Sequence, residues 1–208
     1  MKDTVKITFI SAIIGALFGT FLTFFLLNYS LLNSQQSQAK TQEDLIEDFY
    51  LTENAVHISP HGLRKKMTKG IDDFVLVDLR SAQEYEKEHI IGAINIPAYS
   101  DPNTSAYDEK ERIIGEFQKL SQDKEIIVYC YSIPCMTGRK IGKMLTEEEI
   151  YVKQLGVGWN EWRYYWDLWN HDMETKVDPQ DYVTSGKAPG KLETKAIPPS
   201  CGEGEFDC

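Results

Sequence analysis

The hydrophobic positions of this 208-residue chain fall into three regimes. The first is continuous: Ile7 to Leu27 reads ITFISAIIGALFGTFLTFFLL, apolar apart from Thr and Ser, whose hydroxyls a helix satisfies on its own carbonyls. These 21 residues, at about 1.5 Å each, predict a helix of roughly 31 Å, enough to cross a hydrocarbon core of about 30 Å. Ser30–Lys40 follows as a polar, Gln/Ser-rich tether. The second regime alternates short β-rich runs with amphipathic stretches. Strands are predicted at Val56–Ser59, Asp73–Leu79, Ala93–Ile96, Glu125–Cys130 and Tyr151–Leu155. Helices are predicted from Pro60, over Ala82–Glu88, Asp108–Leu120 and Gly138–Glu149, and from Gly158 to Asn170. The third regime, after Asn170, is Pro/Gly-rich and irregular and ends in Cys201-GEGEFD-Cys208.

The expected organisation is an anchor over residues 1–28, a tether over 29–50, an α/β domain over 51–170 and an extension over 171–208. Strands and helices in alternation predict a parallel sheet flanked by helices on both faces. In such folds the ligand site lies beyond the carboxyl ends of the strands.

Charge sharpens this picture at both ends. No Asp, Glu, Lys or Arg occurs from Ile7 through Ala39, while Lys2 and Lys6 precede the apolar run. The positive-inside tendency then places the N-terminus in the cytoplasm and the domain outside it, periplasmic or cell-surface, as a single-pass membrane protein. A cleaved signal peptide, with Ser37 and Ala39 before the cut, is the alternative and would make the protein secreted. Overall there are 22 Lys+Arg against 32 Asp+Glu, a net charge of −10, which argues against an electrostatic grip on nucleic acid.

The four cysteines come as two pairs. Cys130 closes the clearest strand, just before a loop and a helix, where backbone N–H groups and a helix dipole favour the thiolate. Arg139 and Lys140 stand where a helix start disfavours cations, and an anionic partner would rationalise them. On position alone a second reading stands equally, a buried small hydrophobe ending a core strand. Cys201 and Cys208, around an acidic hexapeptide, are expected to form a small disulfide loop. A four-cysteine zinc site is the runner-up, but neither pair has the short knuckle spacing zinc prefers. Neither a metal nor a cofactor is expected.

Three motifs then carry a resemblance. Val77-Asp-Leu-Arg80, Glu84-Tyr85 and His89-Ile-Ile-Gly-Ala-Ile-Asn-Ile-Pro97 resemble the first signature of the rhodanese (sulfurtransferase) family. Leu155-Gly-Val-Gly-Trp-Asn-Glu-Trp162 resembles its closing signature, and Val128-Tyr-Cys130 sits where that family keeps its catalytic cysteine. The match spans roughly residues 55 to 170, with the motifs in the family's order. It implies a rhodanese-like fold in which Cys130 takes a sulfane sulfur from a donor and passes it to a thiol acceptor, a small molecule or a protein. The anion would be held by the loop formed by Tyr131, Ser132, Met136, Thr137, Gly138 and Arg139. Asp78, Arg80, Glu84, His89 and Gly92 would be structural; Arg80 and Glu84, about one helical turn apart, read as a salt bridge or capping contact framing the first signature.

The loop departs from the family pattern, because eight residues rather than four separate Cys130 from Arg139. A loop of that length admits a bulkier substrate or a protein thiol. Cys135 within it has three readings: a resolving thiol for Cys130, half of a static disulfide, or the reactive cysteine itself. Cys130 ranks first because the family match ends its strand there. A thiol–disulfide redox function and a non-catalytic binding module are the alternatives to sulfur transfer. Trp159, Trp162, Trp166 and Trp169 recur at helical spacing and read as a core stripe, with a partner surface as the alternative.

Overall fold

The computed structural model describes residues 18–29, 40–170 and 177–192. The chain divides into two units, Met1–Tyr50 and Leu51–Cys208. In the first, residues 18–29 form helix α1, where Thr23 Oγ1 donates to Gly19 O at 2.6 Å, a hydroxyl satisfied within its own helix. Among the described residues no helix is long and apolar enough to cross a membrane. Residues 7–17 of the apolar run, residues 30–39 of the tether and the Cys201–Cys208 pair lie outside the described residues. Helix α2 (Gln42–Val56) occupies the end of the stretch read as tether; Thr41 starts its first turn by accepting from Asp44 N.

The second unit is built on five strands: β1 (His57–Ile58), β2 (Phe74–Asp78), β4 (Ile94–Asn95), β7 (Glu125–Tyr129) and β8 (Lys153–Leu155). They pair in the order β1-β8-β7-β2-β4, every pair parallel. Helices α3 (Pro60–Lys69), α4 (Ala82–Lys87), α5 (Lys110–Gln118), α6 (Thr137–Thr146) and α7 (Trp159–Tyr164) connect and follow them. The α/β sheet read from the sequence is therefore present. Two short antiparallel ladders are added, β3 (His89–Ile90) with β9 (Val183–Thr184), and β5 (Tyr99–Asp101) with β6 (Thr104–Ser105).

The strand β7 shows why the sheet has two cores. Ile126, Val128 and Cys130 alternate onto one face, packing with Val77, Leu79, Ile113, Phe117, Ile141 and Leu145. Ile127 and Tyr129 point to the other face, with Leu63, Leu76, Ile90, Leu155, Trp162 and Tyr182. Both faces of the central strands are covered, as a parallel sheet requires.

Two expectations are corrected. The helix expected to run from Gly158 to Asn170 stops at Tyr164; Tyr165 leaves helical geometry (φ −126°, ψ 48°) and a 3-10 turn follows at Trp166–Leu168. The tryptophans are consequently not one helical stripe. Trp162, Trp166 and Trp169 form a mutual cluster, while Trp159 stacks under Arg80, 4.2 Å from its guanidinium. The chain after Asn170 is also more than an irregular extension. Residues 177–192 return to the domain, where Tyr182 is fully buried, accepts Trp162 Nε1 on its carbonyl at 3.3 Å and leads into β9.

Candidate active site

The site grows from the carboxyl end of β7. Cys130 follows directly, buried with 5% of its surface exposed, because the strand's alternation aims it into the core beneath α6. The next residues leave the sheet and are held by the start of α7, where Trp159 N donates to Cys130 O and Asn160 N to Tyr131 O, both at 2.8 Å. Gly158 makes this approach possible. A Cβ there would stand 2.2 Å from Ser132 N and 2.6 Å from Tyr131 C, so no side chain fits. The closing signature thus clamps the cysteine loop.

Beyond Ser132 the chain turns, with Cys135 N donating to Ser132 O at 3.0 Å, and Cys135 comes back beside Cys130. Both cysteines are free thiols. Cys135 is partly exposed, lies 3.4 Å from Thr137 Oγ1 and receives the backbone N–H groups of Thr137 and Tyr131. The hydrogen bond from Cys130 is the largest influence on it and, with the Thr137 and Tyr131 donors, brings its pKa down to about 5 against the opposing effect of burial. Cys130 is pushed strongly up, first by that shared hydrogen bond, then by burial and the neighbouring charge. The two sulfurs therefore titrate as a pair that shares one hydrogen bond, which lowers Cys135 and raises Cys130.

The other loop residues divide. Thr137 is buried and faces the sulfurs. Tyr131 contributes its N–H to them and sends its hydroxyl to Glu84 Oε2 at 2.6 Å, tying the loop to the first signature. Gly138 instead lets α6 approach β8, since a Cβ would stand 3.2 Å from the Gln154 amide. Met136 is exposed, and Arg139, also exposed, donates to Cys135 O at 3.3 Å rather than to a sulfur. Of the six loop residues read from the sequence, Tyr131 and Thr137 are the ones that reach the sulfurs.

The first signature is a buried frame. Asp78 accepts Arg80 N at 2.9 Å, its guanidinium at 2.6 Å and Tyr129 OH at 2.6 Å. Of the salt bridge or capping contact expected from the Arg80–Glu84 spacing, the capping contact is present, with Glu84 engaged by Ser81 in a capping box and by Tyr131, while Arg80 pairs instead with Asp78. His89 is buried, stacks on Tyr85 with centroids 3.7 Å apart and has Nδ1 2.7 Å from Tyr85 O. Gly92 adopts φ +84°, the left-handed conformation its turn requires.

Sequence reasoning missed Tyr99 and Tyr107. Their hydroxyls lie 2.8 Å and 3.0 Å from Thr137 Oγ1, brought there by β5 and by the segment before α5. Nothing local marks them, since neither lies in the cysteine loop nor in a signature.

Residues 59–164 match the family described as Rhodanese-like domain. The chain belongs to that family. Its rhodanese-like domain is 39% identical over 72 residues to a thiosulfate:glutathione sulfurtransferase of Saccharomyces cerevisiae, covering 34% of this chain and 51% of that protein. An HTH-type transcriptional regulator of Mycobacterium tuberculosis is 30% identical over 91 residues, 44% of this chain and 35% of that protein. The matched regions thus span about half or less of these curated relatives. Among solved structures, a Bacillus halodurans protein is similar at 26% identity with a TM-score of 0.47, over 60% of this chain and 82% of its own.

Proposed function

We propose that the protein is a membrane-anchored, extracytoplasmic sulfurtransferase of the rhodanese-like type that works through the Cys130–Cys135 pair. The observation that carries this reading is the dithiol at the end of β7, with hydroxyl and amide donors converging on its two sulfurs. The sulfurtransferase relative from yeast supports the activity class. The burial of Cys130 and the partial exposure of Cys135, which besides the shared Thr137 hydroxyl and Tyr131 N–H also receives the Thr137 N–H, favour Cys135 as the attacking sulfur.

In this scheme the Cys135 thiolate attacks the sulfane sulfur of a donor. With thiosulfate, the donor's S–S bond breaks, sulfite leaves with the bonding electrons, and Cys135 carries a persulfide anion. The same hydrogen bonds that hold the thiolate then hold the terminal or inner sulfur of that anion. An acceptor thiolate takes the outer sulfur and returns the Cys135 thiolate. Cys130 offers a second exit, which is the redox alternative. Its sulfur attacks Cys135 Sγ, its proton goes to the departing outer sulfur, and hydrosulfide leaves as a Cys130–Cys135 disulfide forms. Two external thiols reopen that disulfide.

The test is incubation of the reduced protein with thiosulfate or glutathione persulfide, followed by cyanide release of the bound sulfur as thiocyanate. Loading is expected in the wild type and lost in Cys135→Ser. Cys130→Ser should accumulate persulfide without releasing hydrosulfide. Absence of loading with either donor would defeat the proposal. Anchoring is supported by the apolar run of Ile7–Leu27, by its flanking lysines and by the exposed Phe21, Phe24, Phe25 and Leu27 of α1.

A further inference from the structure

Two tyrosine hydroxyls from separate parts of the fold converge on one threonine oxygen beside Cys135. Thr137 Oγ1 lies 2.8 Å from Tyr99 OH, 3.0 Å from Tyr107 OH and 3.4 Å from Cys135 Sγ. Thr137 opens α6, Tyr99 opens β5 and Tyr107 precedes α5. The side chain of Thr137 is buried, so its partners are fixed by packing rather than by solvent.

Counting hydrogens decides what this cluster favours. A threonine hydroxyl has one hydrogen to donate and two lone pairs to accept with. When both tyrosines donate to Thr137, its lone pairs are filled and its hydrogen is left for the two sulfurs it faces, of which Cys130 already donates within the pair and Cys135 Sγ stands 3.4 Å away. The sulfur must then accept, as a thiolate or persulfide anion does. Were Cys135 a neutral thiol donating to Thr137, the threonine hydrogen would have to turn to a tyrosine. That tyrosine's own hydrogen would lose its place in the cluster.

We propose that Tyr99 and Tyr107 are positioning residues for the sulfur chemistry, which by donating to Thr137 Oγ1 direct its hydrogen onto Cys135 and hold that sulfur as an anion. This rests on Cys135 being the reactive sulfur. Two further observations agree with it. Burial, opposed by the Thr137 bond, pushes Tyr99 up to about 12, so it keeps the proton it must donate. The ring of Tyr99 packs edge-on against Tyr131 with centroids 5.2 Å apart, and Lys140 Nζ sits 5.2 Å from the Tyr107 centroid, so each phenol is held from a second side. The ordered relay differs from a cradle made of loop amides alone, because its outer members come from elsewhere in the fold.

The experiment is the rate of iodoacetamide modification of the reduced full-length chain as a function of pH, with the Cys135 peptide quantified by mass spectrometry. Thr137→Val should raise the midpoint by about one pH unit, roughly tenfold less thiolate at any pH below both midpoints. Thr137→Ser, which keeps the hydroxyl, should restore it. The Tyr99→Phe/Tyr107→Phe double variant should move the midpoint part of the way and add nothing in the Thr137→Val background. An unchanged midpoint in Thr137→Val, or tyrosine effects that add in full to it, overturns the proposal. If Thr137→Val fails to fold by circular dichroism, the tyrosine double variant decides alone, and an unchanged midpoint again overturns it. Because the readout is thiol ionisation, it is independent of sulfur loading. A chain that shows the tyrosine effect but loads no sulfur would sink the sulfurtransferase reading and leave the relay standing.

Discussion

At the scale of single residues, two cysteines five positions apart have opposite chemistry because the chain turns between them. Cys130 inherits its place from the strand and is buried; Cys135 inherits its place from the turn at Ser132 and meets donors. The depressed pKa of Cys135 fixes the sign of its pH dependence. Iodoacetamide reactivity should be flat near neutral pH and fall as pH drops through about 5. Cys130→Ala, which removes the largest stabilising donor, should move that fall upward toward the ordinary thiol range. The buried Asp78–Arg80 pair makes a different prediction. Asp78→Asn strands a guanidinium that is 2% exposed and should destabilise the protein by about 3–5 kcal/mol in urea denaturation. The sequence located Cys130 at a strand end through alternation and the family motifs. It did not show that Cys135 is the thiol with the lowered pKa, because the donors around it depend on how the loop closes, and two of the hydroxyls behind them arrive from β5 and the segment before α5.

At the scale of elements, the start of α7 acts on the loop rather than merely following β8. Gly158→Ala should push Ser132 away, destabilise the protein by about 1–3 kcal/mol and slow Cys135 modification, measured by urea denaturation and alkylation together. Gly92→Ala is the contrast. Its φ of +84° makes a side chain unfavourable by about 1–2 kcal/mol, yet nothing lies within 4 Å of the added Cβ, so alkylation should be unchanged. The strands were legible because apolar runs bounded by charge have few alternative homes. The break at Tyr165 was not, because a tryptophan spacing of 3 and 4 residues continues through it. Those rings meet through a 3-10 turn and through Tyr182, and that contact is tertiary rather than periodic. Helix α2 escaped notice for a related reason: it has no buried residue, and so it lacks a core-facing pattern.

At the scale of the whole molecule, residues 177–192 complete the second core. Tyr182→Ala should cost about 3–5 kcal/mol, read from the urea midpoint, because it empties a fully buried position and removes the Thr68 contact at 3.0 Å. If the amino-terminal run anchors the chain, the protein should stay with membranes after an alkaline carbonate wash. A chain lacking residues 1–40 should be released. Neither the strap over the domain nor its partner strand was evident beforehand, since two-residue strands such as β3 and β9 are too short to show alternation.

The pairing of β1 with β8 and of β3 with β9 joins His57 to Gln154 and His89 to Thr184. A chain delivered amino end first, from a ribosome or through a translocation pore, cannot make the first pairing until Leu155 has emerged, nor the second until Thr184 has. Gly158 arrives after both cysteines, so during synthesis they wait with no clamp on their loop and no shelter for Cys130. The fold therefore leaves these two thiols open while residues 136–184 follow Cys135 out, and the yield of reduced protein becomes a matter of how fast they do so.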